Sequence, residues 1–224
     1  MPKKISITLI QWIVRCVPVK TLSLQARRPS GVIGRYLMTT LFNRGNADLN
    51  NFVLETLALE GTDRVLEIGF GPGRLISHMA KVIDQGVIEG VDFSQTMLQQ
   101  AARVNQAAIK AGRVRLHEGE CSALPFEDNH FDKLCSVNTL YFWREPNRYL
   151  TEMCRVLKPG GKIVIGFRDD EQMRLIDLGD EIFSSYSQQE VVSLLESAGF
   201  SKPHIVAKEG EPFISYCAVA IRAC

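Results

Sequence analysis

Residues 65–74 constrain the fold of this 224-residue chain more than any other segment. An apolar run that contains one acid, Glu67, leads directly into Gly69, Gly71 and Gly73, and an amphipathic segment follows. This order predicts a buried strand, a tight turn and a helix, because glycine lets the backbone approach a ligand closely. An acid near the end of such a strand is costly to bury unless a polar or cationic group meets it. The segment therefore predicts a binding turn for a nucleotide-like ligand.

A second acid ends the next predicted strand. Residues 87–92 form a short apolar run that finishes at Asp92, 23 residues beyond Gly69. A carboxylate at this distance is typical of folds in which it accepts the ribose hydroxyls. The alternative is an ordinary strand–turn–helix unit in which Asp92 caps the next helix. The three glycines stand at alternate positions, whereas the usual dinucleotide fingerprint is Gly-x-Gly-x-x-Gly. This difference argues against a nicotinamide enzyme.

Three later motifs carry a family resemblance. They are residues 118–126 (EGECSALPF), 131–134 (FDKL) and 155–162 (RVLKPGGK). With the two earlier motifs, they resemble the class I S-adenosylmethionine-dependent methyltransferases, in the type 11 branch that contains the ubiquinone/menaquinone methyltransferases. The resemblance covers about residues 46–200. It implies an α/β fold, a Rossmann-like doubly wound seven-stranded mostly parallel sheet with the last strand antiparallel, and S-adenosyl-L-methionine as the cofactor.

The resemblance also implies a set of cofactor contacts. The glycine turn would approach the amino-acid end of the cofactor, and Glu67 would meet this turn or the cationic ammonium. Asp92 would accept the ribose hydroxyls through charge-assisted hydrogen bonds. Asn138, at the end of the fourth predicted strand, would lie under the methionine portion. The predicted contacts are Glu67, Gly69, Phe70, Gly71, Gly73, Asp92, Phe93, Met97, Glu120, Cys121 and Asn138.

The adenine contacts follow from the same resemblance. Phe93 and Met97 would wall the adenine with apolar surface. Glu120 would accept the adenine amino group, and the Cys121 amide would bond a ring nitrogen. Family members usually carry aspartate where this chain has the longer side chain of Glu120.

Catalytic residues are less sharply defined by the sequence. A sulfonium already activates the leaving group, so positioning and water exclusion supply much of the catalysis. No acid–base pair stands out. Tyr141 is predicted as an acceptor-side polar group, or else a rim aromatic, and His78 as a catalytic candidate, or else a structural histidine. Tyr36 and Asn46 would close over the cofactor, and Arg168 would meet an anionic substrate.

The first 45 residues are predicted to form a helical arm. Residues 1–50 carry eight basic side chains and one acid, a net charge of +7, which leaves −6 on the remaining chain. The arm therefore binds either an anionic partner or the acidic body. Residues 5–19 are apolar on a wide helical face, but this segment is too short to be assigned as a membrane-spanning helix. We expect either a lid over the active site or peripheral membrane contact through residues 1–20.

Composition restricts the remaining possibilities. The apolar content of 46% and charged content of 23% are those of a soluble globular protein. Six cysteines show no metal-ligand spacing, which favours a reducing cytoplasm and no metal. A methyltransferase domain is predicted for residues 46–224. Strands are predicted near 64–68, 87–91, 113–117, 131–137, 162–167, 203–207 and 213–221, and helices near 74–83, 95–111, 146–157 and 188–198.

Three functional classes remain at this point. The first is methyl transfer to a small-molecule or lipid-like acceptor, such as a quinone, an isoprenoid or a phospholipid headgroup. The second is cofactor binding without catalysis, and the third is a nicotinamide-dependent oxidoreductase. A nucleic-acid acceptor is disfavoured, because the chain has no motif of the Asn/Asp-Pro-Pro-Tyr type for a flipped base.

Overall fold

The computed structural model describes residues 46–176, 184–210 and 213–223. The predicted arm of residues 1–45, its alternative roles as a lid or a membrane contact, and Tyr36 lie outside the described residues. Among the described residues, no helix combines the length and the apolar character that crossing a bilayer would need.

A seven-stranded sheet forms the centre of the described region. Its strands are β1 (Arg64–Ile68), β2 (Val87–Asp92), β3 (Val114–Glu118), β4 (Phe131–Val137), β5 (Leu157–Phe167), β6 (Phe200–Lys208) and β7 (Ser215–Arg222). The spatial order is β3-β2-β1-β4-β5-β7-β6. The ladders from β3 through β5 are parallel, whereas β7 is antiparallel to both of its neighbours. The predicted fold class, including the antiparallel last strand, is confirmed.

Seven α-helices accompany the strands in the described residues. They are α1 (Ala47–Leu57), α2 (Arg74–Met79), α3 (Gln95–Val104), α4 (Gln106–Lys110), α5 (Pro146–Val156), α6 (Asp170–Ile176) and α7 (Gln188–Ser197). A 3₁₀ turn at Leu140–Phe142 follows β4. The helix α7 begins with a capping box, in which Ser187 and Glu190 bond each other's backbone amides.

Several predicted boundaries differ from the structure: α2 ends at Met79 rather than near residue 83, and β6 begins at Phe200 rather than near residue 203. The helix expected over residues 95–111 divides at Asn105, whose side chain donates hydrogen bonds to the carbonyl oxygens of Gly73 and Ala101. Asn105 thereby links α3 to the glycine turn instead of facing solvent. The strand β5 begins at Leu157 rather than near residue 162, because Leu157 pairs with Phe131 before the register shifts.

The core has two layers, one on each face of the sheet. Neighbouring β1 residues alternate between them: Val65 belongs to one buried cluster and Leu66 to the other. The helices α1 and α2 contribute to the Val65 cluster, and α5 and α7 contribute to the Leu66 cluster. The strand order reverses between β1 and β4, so a crevice opens at the carboxyl ends of these strands.

Candidate active site

A cavity of about 240 Å³ lies at the carboxyl ends of the parallel strands. The predicted site residues that line it are Glu67, Gly69, Phe70, Gly71, Asp92, Phe93, Met97, Glu120, Cys121, Asn138 and Tyr141. The topology explains their convergence, because each follows or ends one of the strands β1 to β4. Gly73 and His78 are absent from the described lining.

The glycine turn places two glycines in different surroundings. Gly71 has a positive φ of 51°, and a Cβ added there would meet no atom within 4 Å, so its backbone faces open cavity. Gly73 caps α2 with a φ of 75°, and an added Cβ would lie 2.7 Å from the Ala101 Cβ. Gly73 therefore permits close packing of α2 against α3 rather than direct contact with a ligand.

Asp92 is buried at the end of β2, with 6% of its surface exposed. One carboxylate oxygen accepts the Gly71 amide at 2.9 Å, and the other accepts the Ser94 amide at 2.8 Å. Burial raises the pKa of Asp92 from 3.8 to about 6, against the lowering effect of these two amides. The carboxylate is thus held in one orientation beside the glycine turn, where two ribose hydroxyls would meet it. Ser94 caps α3 instead, since its side chain accepts the Met97 amide.

Glu67 is the second buried acid of the cavity, and 3% of its surface is exposed. The Ile76 amide of α2 bonds its carboxyl group, but Oε2 has no hydrogen-bond partner. Burial raises the pKa of Glu67 well above its ordinary value, and the neighbouring Asp92 adds to the effect. An orphaned carboxylate oxygen in a cavity favours a cationic or hydrogen-bond-donating ligand. The ammonium of S-adenosylmethionine satisfies this requirement, so the residues present fit the cofactor.

The four residues that are predicted to surround the adenine all line the cavity. Met97 is fully buried on α3, Phe93 is half-buried, and Glu120 is exposed in the loop after β3. Burial raises the pKa of the Cys121 thiol to about 12, so this thiol stays protonated at neutral pH. Cys121 is consequently a cavity wall and not an activated nucleophile.

A chain of hydrogen bonds crosses the other half of the cavity. The Asn138 side chain donates to Asn46 Oδ1 at 2.9 Å, and its own Oδ1 accepts the Tyr141 hydroxyl at 3.0 Å. That hydroxyl also accepts the Arg168 amide. Tyr141 is 4% exposed, and burial raises the pKa of its phenol well above the ordinary value. The geometry makes Tyr141 a bridge between the ends of β4 and β5 rather than a proton acceptor.

His78 lies on α2 without contributing to the described cavity lining. Partial burial lowers its pKa, and the neighbouring cations Lys81 and Arg74 lower it further. A general acid or base must reach the reacting atoms, so we do not retain His78 as a catalytic candidate. The helix α2 turns this residue away because Leu75, Ile76 and Met79 occupy its buried face.

Several lining residues were not predicted from the sequence. They are mainly aromatic or apolar groups near the ends of β4 and β5, with two polar ones: Asn50, Thr139, Phe142, Trp143, Tyr149 and Met173. The consecutive aromatics Tyr141, Phe142 and Trp143, shortly after β4, were the available signal. Within the described ranges, no group of three or more histidine, cysteine or acidic side chains could hold a metal ion.

Comparison with known proteins identifies the family. The family described as methyltransferase domain, type 11, matches residues 66–165. The chain is 33% identical over 175 residues to the uncharacterized methyltransferase YdaC of Bacillus subtilis, covering 78% of this chain and 92% of YdaC. It is 30% identical over 115 residues to the ubiquinone/menaquinone biosynthesis C-methyltransferase UbiE of Geotalea daltonii, covering 51% of this chain and 49% of UbiE.

A solved structure agrees with this assignment. The S-adenosylmethionine-dependent methyltransferase of Aquifex aeolicus superposes with a TM-score of 0.66 at 25% identity, covering 81% of this chain and 95% of that protein. The motif order, the cavity at the strand reversal and the orphaned acid at the glycine turn all fit such a cofactor. The chain therefore belongs to the class I S-adenosylmethionine-dependent methyltransferases, in the type 11 branch, and its cofactor is S-adenosyl-L-methionine.

Proposed function

We propose that this methyltransferase acts on a small-molecule or lipid-like acceptor, of the quinone, isoprenoid or phospholipid type. The observation that carries the proposal is the aromatic wall of the cavity near β4 and β5. Phe142, Trp143, Tyr149 and Met173 line this half of the cavity. Such a surface favours an acceptor with an apolar body, because burying that body against aromatic side chains removes it from water.

The proposed mechanism is direct in-line displacement. The bound cofactor supplies an electrophilic methyl group on a positively charged sulfur. Asp92 and Gly71 would hold the ribose region of the cofactor, and Glu67 would meet its ammonium, so these residues would orient the bound cofactor. The aromatic wall excludes water from the acceptor's approach. The described lining of the β4–β5 half contains no carboxylate and no imidazole, which favours an acceptor that needs no dedicated base.

The comparisons support a small acceptor without identifying it. UbiE acts in quinone biosynthesis, as its name states, but the match covers about half of that protein. YdaC, which the chain matches over most of its length, is uncharacterized. Membership of the methyltransferase family favours methyl transfer over the nicotinamide chemistry and over binding alone. A cytoplasmic enzyme that touches the membrane through residues 1–20 is part of the same proposal.

The test uses the full chain, methyl-labelled S-adenosylmethionine and a cell extract separated into lipid, water-soluble and macromolecular fractions. We expect label in the lipid or water-soluble small-molecule fraction. Label confined to protein or nucleic acid would contradict the proposal. Trp143→Ala removes part of the aromatic wall and should reduce transfer while S-adenosylhomocysteine still binds. Val82→Ala, at a residue that is 42% exposed and outside the cavity lining, is the matched control and should leave transfer unchanged.

A further inference from the structure

We infer that Arg168 selects an acceptor that presents an oxyanion, such as a phenolate or a carboxylate, to the methyl group. The inference rests on the proposed function, since it assumes a small acceptor in the β4–β5 half of the cavity. Arg168 directly follows β5 and lines that half of the cavity. Its place in the fold, its surroundings and the distribution of charge around it each support this assignment.

The backbone of Arg168 is fixed from the cavity side. The Tyr141 hydroxyl accepts the Arg168 amide, and it lies 3.3 Å from the Arg168 carbonyl oxygen. The same hydroxyl lies 3.0 Å from Asn138 Oδ1, so its single proton is shared between two acceptors. Because Tyr141 is buried, the starting point of the Arg168 side chain is held at a defined position. Tyr141 is therefore a positioning residue for Arg168.

The guanidinium has a partly buried, aromatic environment. Its Cζ lies 4.7 Å from the centroid of the Phe213 ring, a cation–π arrangement. Burial lowers the pKa of Arg168, which nevertheless remains charged at any physiological pH. A charge that is partly removed from water interacts more strongly with an opposite charge than an exposed one does. Arg168 is thus suited to bind an anion rather than only to keep the surface soluble.

Charges in the described cavity lining are separated by position. The three acids, Glu67, Asp92 and Glu120, lie at or just after the ends of β1, β2 and β3, on the cofactor side. Arg168 is the charged side chain among the described lining residues of the β4–β5 half. The other lining cation, Arg74, lies on α2 beside the glycine turn. A cationic acceptor would meet like charge from Arg168 and the cofactor sulfonium, whereas an oxyanion would be attracted by both.

This arrangement also explains methyl transfer without a base. The acceptor loses its proton to solvent, and the guanidinium of Arg168 stabilises the oxyanion that remains. An oxygen lone pair then forms the bond to the methyl carbon, while the carbon–sulfur bond breaks and leaves its electron pair on sulfur. The negative oxygen and the positive sulfur both become neutral. No further oxidant, reductant or co-reactant is needed for this balance.

The test is calorimetric binding of two isosteric probes, 1-naphthoate and 1-naphthamide, to the full chain saturated with S-adenosylhomocysteine. A charge-assisted contact predicts that wild type binds the naphthoate at least ~10-fold more tightly than the amide. Arg168→Met should abolish this preference, and Arg168→Lys should retain part of it. Arg103→Met is the control and should keep the wild-type preference, because Arg103 is exposed on α3 and lies outside the described lining of this cavity.

Equal binding of the two probes by wild type, or an unchanged preference in Arg168→Met, would overturn the inference. Binding of S-adenosylhomocysteine by each variant reports whether it is folded. If Arg168→Met fails this check, wild type and Arg168→Lys decide the question by themselves. Labelled transfer to neutral small molecules, together with equal probe binding, would refute oxyanion selection and keep the proposed function. Label found only in macromolecules would refute the proposed function, and the probe preference would still report on Arg168.

Discussion

Replacing Asp92 with asparagine should stabilise the protein without cofactor and weaken its binding of cofactor. Burial raises the pKa of Asp92 from 3.8 to about 6. An acid with a raised folded-state pKa stabilises the fold while protonated, and this contribution is lost as the pH rises from about 4 to 6. At pH 7 the ionised carboxylate therefore costs the folded state about 3 kcal/mol, at ~1.4 kcal/mol per pKa unit.

The asparagine keeps the shape of the side chain but changes its bonds. It removes the buried charge and loses an acceptor for one of the two amides, Gly71 or Ser94, at a cost of about 1 kcal/mol. We expect Asp92→Asn to raise the free energy of unfolding by about 1–2 kcal/mol at pH 7. The charge contribution should fall to roughly half at pH 5, because the wild-type carboxyl is then mostly protonated. Urea denaturation at both pH values measures this difference.

Cofactor binding should change in the opposite direction. The carboxylate would accept two ribose hydroxyls, whereas the asparagine amide offers one oxygen and a donor group. Losing about 3 kcal/mol of charge-assisted hydrogen bonding corresponds to roughly 100-fold weaker binding of S-adenosylhomocysteine, measured by calorimetry. A variant that is less stable than wild type at pH 7, or that binds S-adenosylhomocysteine within about threefold of wild type, would refute the reasoning.

Asp132→Asn is the matched control at the opposite end of the sheet. Asp132 pairs with Lys158 at 2.5 Å and accepts the Arg64 amide at 2.9 Å. These partners outweigh partial burial, so the pKa of Asp132 lies below its usual value. Its contribution to stability is present above the unfolded-state pKa and is lost as the pH falls through the folded-state pKa. The asparagine variant should lose stability at pH 7 and keep wild-type affinity for S-adenosylhomocysteine.

Three further predictions concern the turn, the bridge and pH. Gly71→Ala should cost about 1 kcal/mol of stability, because residue 71 has a positive φ, and should reduce cofactor affinity strongly. Gly73→Ala should mainly lower the melting temperature, because the added Cβ would overlap Ala101. Tyr141→Phe should raise the KM for the acceptor more than the Kd for S-adenosylhomocysteine. Steady-state kinetics measures the first quantity and calorimetry the second, and equal changes in both would contradict the bridging role of Tyr141. The Kd for S-adenosylhomocysteine should rise about tenfold per pH unit below about pH 6 as Asp92 becomes protonated, and a flat profile from pH 5 to 8 would exclude this linkage.

Local chemistry made much of the fold predictable. Residues 65–74 read as strand, turn and helix because the glycines and the apolar run are adjacent in sequence, and the structure has β1 and α2 there. The capping box of Ser187 and Glu190 is equally local, since the motif closes within three residues. The alternation of strands and helices then restricts the sheet to a doubly wound topology.

Elements that depend on distant partners were harder to predict. The division of the helix at Asn105 follows from a bond to Gly73, which lies 32 residues away along the chain. Gly73 belongs to the glycine pattern, yet its close packing against Ala101 is visible only after α2 and α3 have docked. His78 has a candidate residue type, but the packing of α2 turns it out of the described cavity lining.

By itself, the sequence determined the family, the cofactor and the positions of Glu67 and Asp92, because these depend on motifs whose spacing is short and whose chemistry is specific. Tertiary structure alone decided how the β4–β5 half of the cavity is built. Tyr141 contacts Arg168 because the ends of β4 and β5 lie side by side in the sheet, although 27 residues separate the two along the chain. Spatial neighbours of this kind leave no periodic or local pattern in a single sequence, since only the closed sheet brings them together.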